Sequence, residues 1–256
     1  MQASAGSSNI ACMVRSAKTP ATSPDLVFLD VMRSDLRYEA TLAPPTFDML
    51  LGGKSFGPVY NALEPLGLRL DDMRVEGQQP AEQALSCYLS DWRTLVRYRF
   101  DRVEVQGRPS EVGVETLFRL IEVAVGVVRG MSQAKIEGHS FNMRVHARLG
   151  MGTVDDQLAR HVPTKRADKV ALAPSAVTFR VRHRGVASES AAGFASLERS
   201  LVVEDAAFLQ VVSVHPGSLN EPAACDQALA FFRAAADALG LRVREEQADA
   251  GSRIAS

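Results

Sequence analysis

Three segments of the chain alternate apolar and basic residues at a period of two, and this constrains the fold more than any other feature. In residues 92–100, one side of an extended strand carries Trp92, Val96, Tyr98 and Phe100, and the other carries Arg93, Arg97 and Arg99. In residues 141–149 the apolar side is Phe141, Met143, Val145, Ala147 and Leu149, and the opposite side is Asn142, Arg144, His146 and Arg148. In residues 177–184, Val177, Phe179, Val181 and His183 oppose Thr178, Arg180, Arg182 and Arg184. A period of two marks a strand buried on one side, which must lay its apolar face on a second layer.

Two helical segments can supply that layer. Residues 112–128 are apolar around most of a helical circumference, with Ser110 placed to cap the start and Gly130 to stop it. Residues 222–239 are alanine-rich on one side and carry Phe231, Phe232 and Leu239 on another. Further strands are expected at 36–42, 68–75, within 84–105, at 197–203 and at 208–214. Short helices are expected at 47–51, 59–66 and 154–161. The resulting fold class is α+β, with antiparallel strands in one or two sheets and two long apolar helices over one face. The order of strand, helix, several strands and long helix runs twice, which suggests a pseudo-duplication although the halves share no evident residue identity.

The expected organisation is a disordered leader at 1–24, a first α+β half at 25–130, a second at 131–245 forming one unit with the first, and a disordered tail at 246–256. The chain has 256 residues, 46% of them hydrophobic, enough for one large core or two modest ones. Its 29 Lys and Arg against 30 Asp and Glu imply no whole-molecule attraction to nucleic acid or membrane. Any anion attraction must therefore be local. Cys12, Cys87 and Cys225 include no CxxC pair, and the first residues lack an apolar signal core, so a reducing, cytoplasmic setting is expected. The segment 112–128 contains Glu115, Arg119 and Glu122 and is too short and charged for a membrane span.

If the three alternating strands share one sheet, Arg93, Arg97, Arg99, Arg144, Arg148, Arg180, Arg182 and Arg184, with His146 among them, form a basic face for an anionic partner. The aromatic residues of these strands fall on their apolar sides, so this face is expected to lack stacking platforms. Its alternative is a solvated surface on which arginines pair with Glu39, Glu104, Glu198 or Glu204 across strands.

No catalytic centre is legible. Gly52-Gly53-Lys54-Ser55 lacks the first glycine and the preceding strand of a phosphate loop, and Gly150-Met151-Gly152 lacks the third glycine of a dinucleotide fingerprint. The five histidines include no metal-binding helical pair, and no GxSxG elbow is present. Neither a cofactor nor a metal is expected. The sequence therefore points to a non-catalytic accessory or binding protein whose arginine-bearing face holds an acidic protein surface or a nucleic-acid backbone. Two alternatives stand beside it: a phosphate-substrate enzyme with an arginine-lined pocket and His146 as acid or base, and a homo-oligomeric structural subunit assembling through its apolar helix.

Overall fold

The computed structural model describes residues 26–47, 50, 53–79, 82–162, 165–167, 170–182 and 192–243, with backbone alone for 165–167, 170–172, 182 and 192. The expected leader and tail lie outside the described residues, as do Arg184 and most of the short helix expected at 47–51. The chain is a mixed α+β protein built on a large antiparallel sheet. In chain order the elements are β1 (Val27–Ala43), α1 (Phe56–Leu63), β2 (Met73–Glu76), β3 (Ala84–Leu89), β4 (Thr94–Tyr98), β5 (Arg102–Gly107), α2 (Pro109–Val112), α3 (Val114–Met131) and β6 (Lys135–Leu149). They continue with α4 (Val154–His161), β7 (Lys165–Ala167), β8 (Val170–Leu172), β9 (Ala176–Arg182), β10 (Ala192–Arg199), β11 (Ala206–Pro216), α5 (Glu221–Ala238) and β12 (Leu241–Val243).

The strands lie in the order β2-β3-β4-β5-β1-β6-β11-β10-β9, and β7 pairs with β8 apart from this sheet. The two longest strands, β1 and β6, pair antiparallel at its centre. On its other side β1 is shared: β5 takes residues 36–41, and β12 runs parallel to residues 27–29. A bulge between Val31 and Arg33 adds one residue and switches which positions face the core. Before it the buried positions are Val27 and Leu29; after it they are Ser34, Leu36, Tyr38, Ala40 and Leu42.

The helices cover one face. Leu117, Leu120, Ile121, Ala124, Val125 and Val128 of α3 pack with Val59 and Leu63 of α1 over Tyr38, Val96, Tyr98, Val103 and Val105. Phe231, Phe232, Ala235 and Ala236 of α5 pack with Val154 and Leu158 of α4 over Val145, Ala147, Val177, Leu197 and Leu209. Met143 touches both clusters. Glu115, Arg119, Glu122, Gly126 and Arg129 of α3 are exposed and follow one another at helical spacing as a polar or glycine stripe, with Gly130 exposed beside Arg129. Arg129 closes on Glu221 at 2.7 Å, tying the end of α3 to the start of α5.

Several boundaries differ from the sequence expectation for local physical reasons. Gly113 adopts φ 83 and splits the expected helix into α2 and α3. The 84–105 region holds three strands, because a 3₁₀ turn, Ser90–Trp92, separates β3 from β4. Another 3₁₀ turn, Leu70–Asp72, shortens the strand expected at 68–75 to β2. The strand expected at 197–203 ends at Arg199, where the Ser200 hydroxyl accepts from the backbone N–H groups of Val202 and Val203 and turns the chain.

Candidate anion-binding sheet face

The other side of the sheet carries no helix in the described residues, and its composition follows from register. Across β1 and β6, Arg33 faces His146, Asp35 faces Arg144, Arg37 faces Asn142 and Glu39 faces Ser140. Across β6 and β11, His146 faces Phe208, Arg144 faces Gln210 and Asn142 faces Val212. Phe194 of β10 then lies between Val212 and Arg180 of β9. These positions alternate with the buried ones, so Arg97, Arg144, Arg148 and Arg180 share one face of one sheet. Arg182 takes the register position opposite Ala192.

Arg93 does not belong to this group. It follows the 3₁₀ turn with φ 47, outside β4, and its guanidinium lies 3.6 Å from Glu111 of α2. The left-handed residue breaks the alternation read from the sequence, which resumes only at Thr94.

The two halves of the face differ electrostatically. On the β5 side, Glu104 is a hub contacted by Arg37 at 3.5 Å, Arg97 at 3.6 Å, Arg99 at 3.5 Å and Arg102 at 3.3 Å. Glu39 meets Arg37 and Arg102, and Glu76 meets Arg97, whose Nε also donates to Ser86. This is the cross-strand pairing expected of a solvated face, and here it involves Glu39 and Glu104. On the β6–β9 side the situation reverses: Arg144, Arg148 and Arg180 are exposed and form no ion pair among the described residues. Asp35, the residue opposite Arg144, is engaged by Arg33 at 3.1 Å and Arg108 at 3.6 Å.

His146 is covered. Its Nδ1 lies 2.8 Å from Ser200 Oγ, and its ring centroid is 4.8 Å from that of Phe208. Because the Ser200 oxygen already accepts two backbone N–H groups, its hydroxyl proton points to Nδ1 and the imidazole proton is assigned to Nε2. Burial and then the neighbouring Arg33 hold the imidazole below its ordinary pKa, partly offset by Asp35.

The sequence reading missed the aromatic component of the face. Phe194 is 37% exposed and Tyr88 45% exposed, and both alternate with core residues, Ala195 and Leu197 in one strand and Cys87 and Leu89 in the other. They sit on β10 and β3, neighbours of the arginine strands, so only sheet order brings them to the basic side. Between them, Arg37, Glu39, Ser140, Asn142 and Val212 line a shallow depression of about 210 Å³. Gln210 Nε2 donates to Asn142 Oδ1 at 3.0 Å beside it.

Among the described residues, no three His, Cys, Asp or Glu side chains are gathered as metal ligands. No helix among them is long and apolar enough to cross a membrane. No family model matches the chain, and no curated protein matches it. Among solved structures, a similarity is found to a rolling circle replication initiator protein from Geobacillus stearothermophilus, with 10% identity, a TM-score of 0.28, and coverage of 80% of this chain and 79% of that one. At that TM-score the likeness assigns neither a fold nor a function.

Proposed function

We propose that the chain is a non-catalytic binding protein that takes an anionic partner on the open face of its sheet, in the half bearing Arg144, Arg148 and Arg180. The observation that carries this reading is the contrast between the halves. Around Glu104 the arginines share an internal countercharge, whereas these three form no ion pair among the described residues, although Arg144 faces Asp35 and Arg148 faces Asp30 across β1. Neighbouring guanidinium groups repel one another, and an anion placed between them relieves that repulsion while using their bidentate geometry. The openness of the face and the covered ring of His146 favour binding over chemistry.

The order of elements supports the finer reading of a pseudo-duplication in which α3 and α5 are equivalent covering helices. In each half the long first strand pairs with the last strand of the following meander, β1 with β5 and β6 with β11, and a long helix follows. A reducing, cytoplasmic setting suits the two buried thiols, Cys87 and Cys225, which burial pushes up to about 12.

The test is fluorescence anisotropy with a labelled polyanion, for which heparin serves. The triple variant R144Q/R148Q/R180Q should bind on the order of tenfold more weakly and show a flatter salt dependence. The pair R97Q/R102Q, taken from the Glu104 side, should bind like the parent. Equal affinity of the triple variant and the parent would remove the proposal.

A further inference from the structure

Resting on that reading, we infer that the anionic partner is single-stranded nucleic acid, crossing the strands between Arg180 and Arg144 with a base stacked on Phe194. Phe194 and Arg180 are directly opposite across β9 and β10, which puts a partly exposed phenylalanine at the register position next to an arginine that has no ion-pair partner among the described residues. A cation beside a bare ring suits a sugar-phosphate chain that carries flat bases, because the cation takes the phosphate and the ring takes the base. An acidic protein surface would use the cation and leave the ring in water. A duplex keeps its bases stacked on each other and out of reach of a ring on a sheet face.

The rest of the row fits the same ligand. From Phe194 it runs through Val212 to Asn142, an apolar side chain followed by an amide. Gln210 donates to the Asn142 carbonyl oxygen, which leaves the Asn142 amino group as a donor and the Gln210 carbonyl oxygen as an acceptor for base edges. From β9 to β6 is three strand spacings, about 14 Å, a width on which sheet-type modules lay two or three bases. Arg144 lies two residues beyond Asn142 on the same face, about 7 Å along β6, and Arg148 about 13 Å further in the same direction. The opposite side of β10 is sealed, since a Cβ at Gly193 would run into the Phe231 ring of α5. Phe194 is thereby fixed toward the open face.

The experiment titrates the full chain against labelled oligothymidylate and oligouridylate of about 15 nucleotides, an abasic deoxyribose-phosphate strand of the same length, a duplex, and polyglutamate. Both base-bearing single strands should bind roughly tenfold more tightly than the abasic strand, and their ratio distinguishes DNA from RNA as the source. F194L should lose about that factor for the base-bearing strands and nothing for the abasic one. F194W gives an independent readout, because its added emission should be quenched by oligothymidylate and not by the abasic strand. Equal binding of abasic and base-bearing strands with F194L and F194W silent, or preference for duplex or polyglutamate, overturns this inference and leaves the anionic-partner reading in place. Absence of binding to every probe overturns both.

Discussion

Glu104 shows how much one side chain decides on a charged face. It is only about 10% exposed, and four guanidinium groups approach it at 3.3 to 3.6 Å, with Arg99 Nε and Arg102 Nε buried without a hydrogen bond of their own. Replacing it by Gln removes the shared countercharge and leaves those arginines to repel one another. The arginines are partly solvated, which reduces the effect below that of a fully buried pair. E104Q should lower stability by about 1–3 kcal/mol in urea denaturation, with the loss growing at low salt; a variant as stable as the parent would show the hub to be screened. The buried histidines add a pH dependence. Burial is the largest cause holding His139 below its ordinary pKa, and the same holds for His146. His139 donates from Nε2 to the Leu219 carbonyl and accepts from the Tyr38 hydroxyl at Nδ1, an arrangement that needs the neutral ring. A histidine with a depressed folded pKa binds its proton more readily when unfolded. Its contribution is therefore complete above the unfolded value of about 6.5 and is lost as pH falls below it. The denaturation midpoint should drop between about pH 7.5 and pH 5.5, and NMR titration should find both imidazole midpoints under about 6.5; a flat profile would count against it.

At the level of elements, the helices are seated where side chains are missing. A Cβ on Gly107 of β5 would come within 2.6 Å of Leu117 of α3 and 2.8 Å of the Thr94 hydroxyl. G107A should therefore cost about 1–3 kcal/mol by forcing α3 away from the sheet, a loss read as a lower melting temperature with unchanged far-ultraviolet dichroism at room temperature. Thr153 caps α4 reciprocally with Asp156, so T153A should cost about 1 kcal/mol in the same assay. Such elements were legible to the extent that their periodicity ran unbroken. Residues 36–42 read as a strand because alternation is clean there, while 27–35 did not, because the bulge at Met32 switches parity and Arg33-Ser34-Asp35 interrupts the apolar positions. The start of β6 was hidden likewise, since Leu42 pairs with Ile136 while Thr41 pairs with Gly138, leaving Glu137 as an extra residue. The arginine rule survived for Arg97, Arg144, Arg148 and Arg180. It failed at Arg93, where a left-handed residue ends a 3₁₀ turn. Phe194 and Tyr88 could have been assigned a side from their own alternation. Their meeting with the arginines depends on strand order, a long-range property that spacing along the chain does not encode.

For the whole molecule the central question is whether the two halves behave as one cooperative body. β1 and β6 pair from Leu29–Leu149 to Ala43–Lys135 through the middle of the sheet, β12 returns from the end of the second half to pair with the start of β1, and Met143 packs into both core clusters. Arg129 and Glu221 close the helix layer over the same seam, with Glu221 only 4% exposed. Separating the halves would expose the long edges of β1 and β6 and strand a buried carboxylate at once, so a state with one half folded lacks the partner that satisfies it. Unfolding should then be a single transition. Trp92 is the sole tryptophan and belongs to the first half, whereas far-ultraviolet dichroism reports strands and helices of both. Urea curves followed by Trp92 emission and by dichroism should coincide in midpoint and slope. A dichroism change that persists after the Trp92 transition is complete would show that the second half stands alone, and that the open face is assembled from two independent sheets.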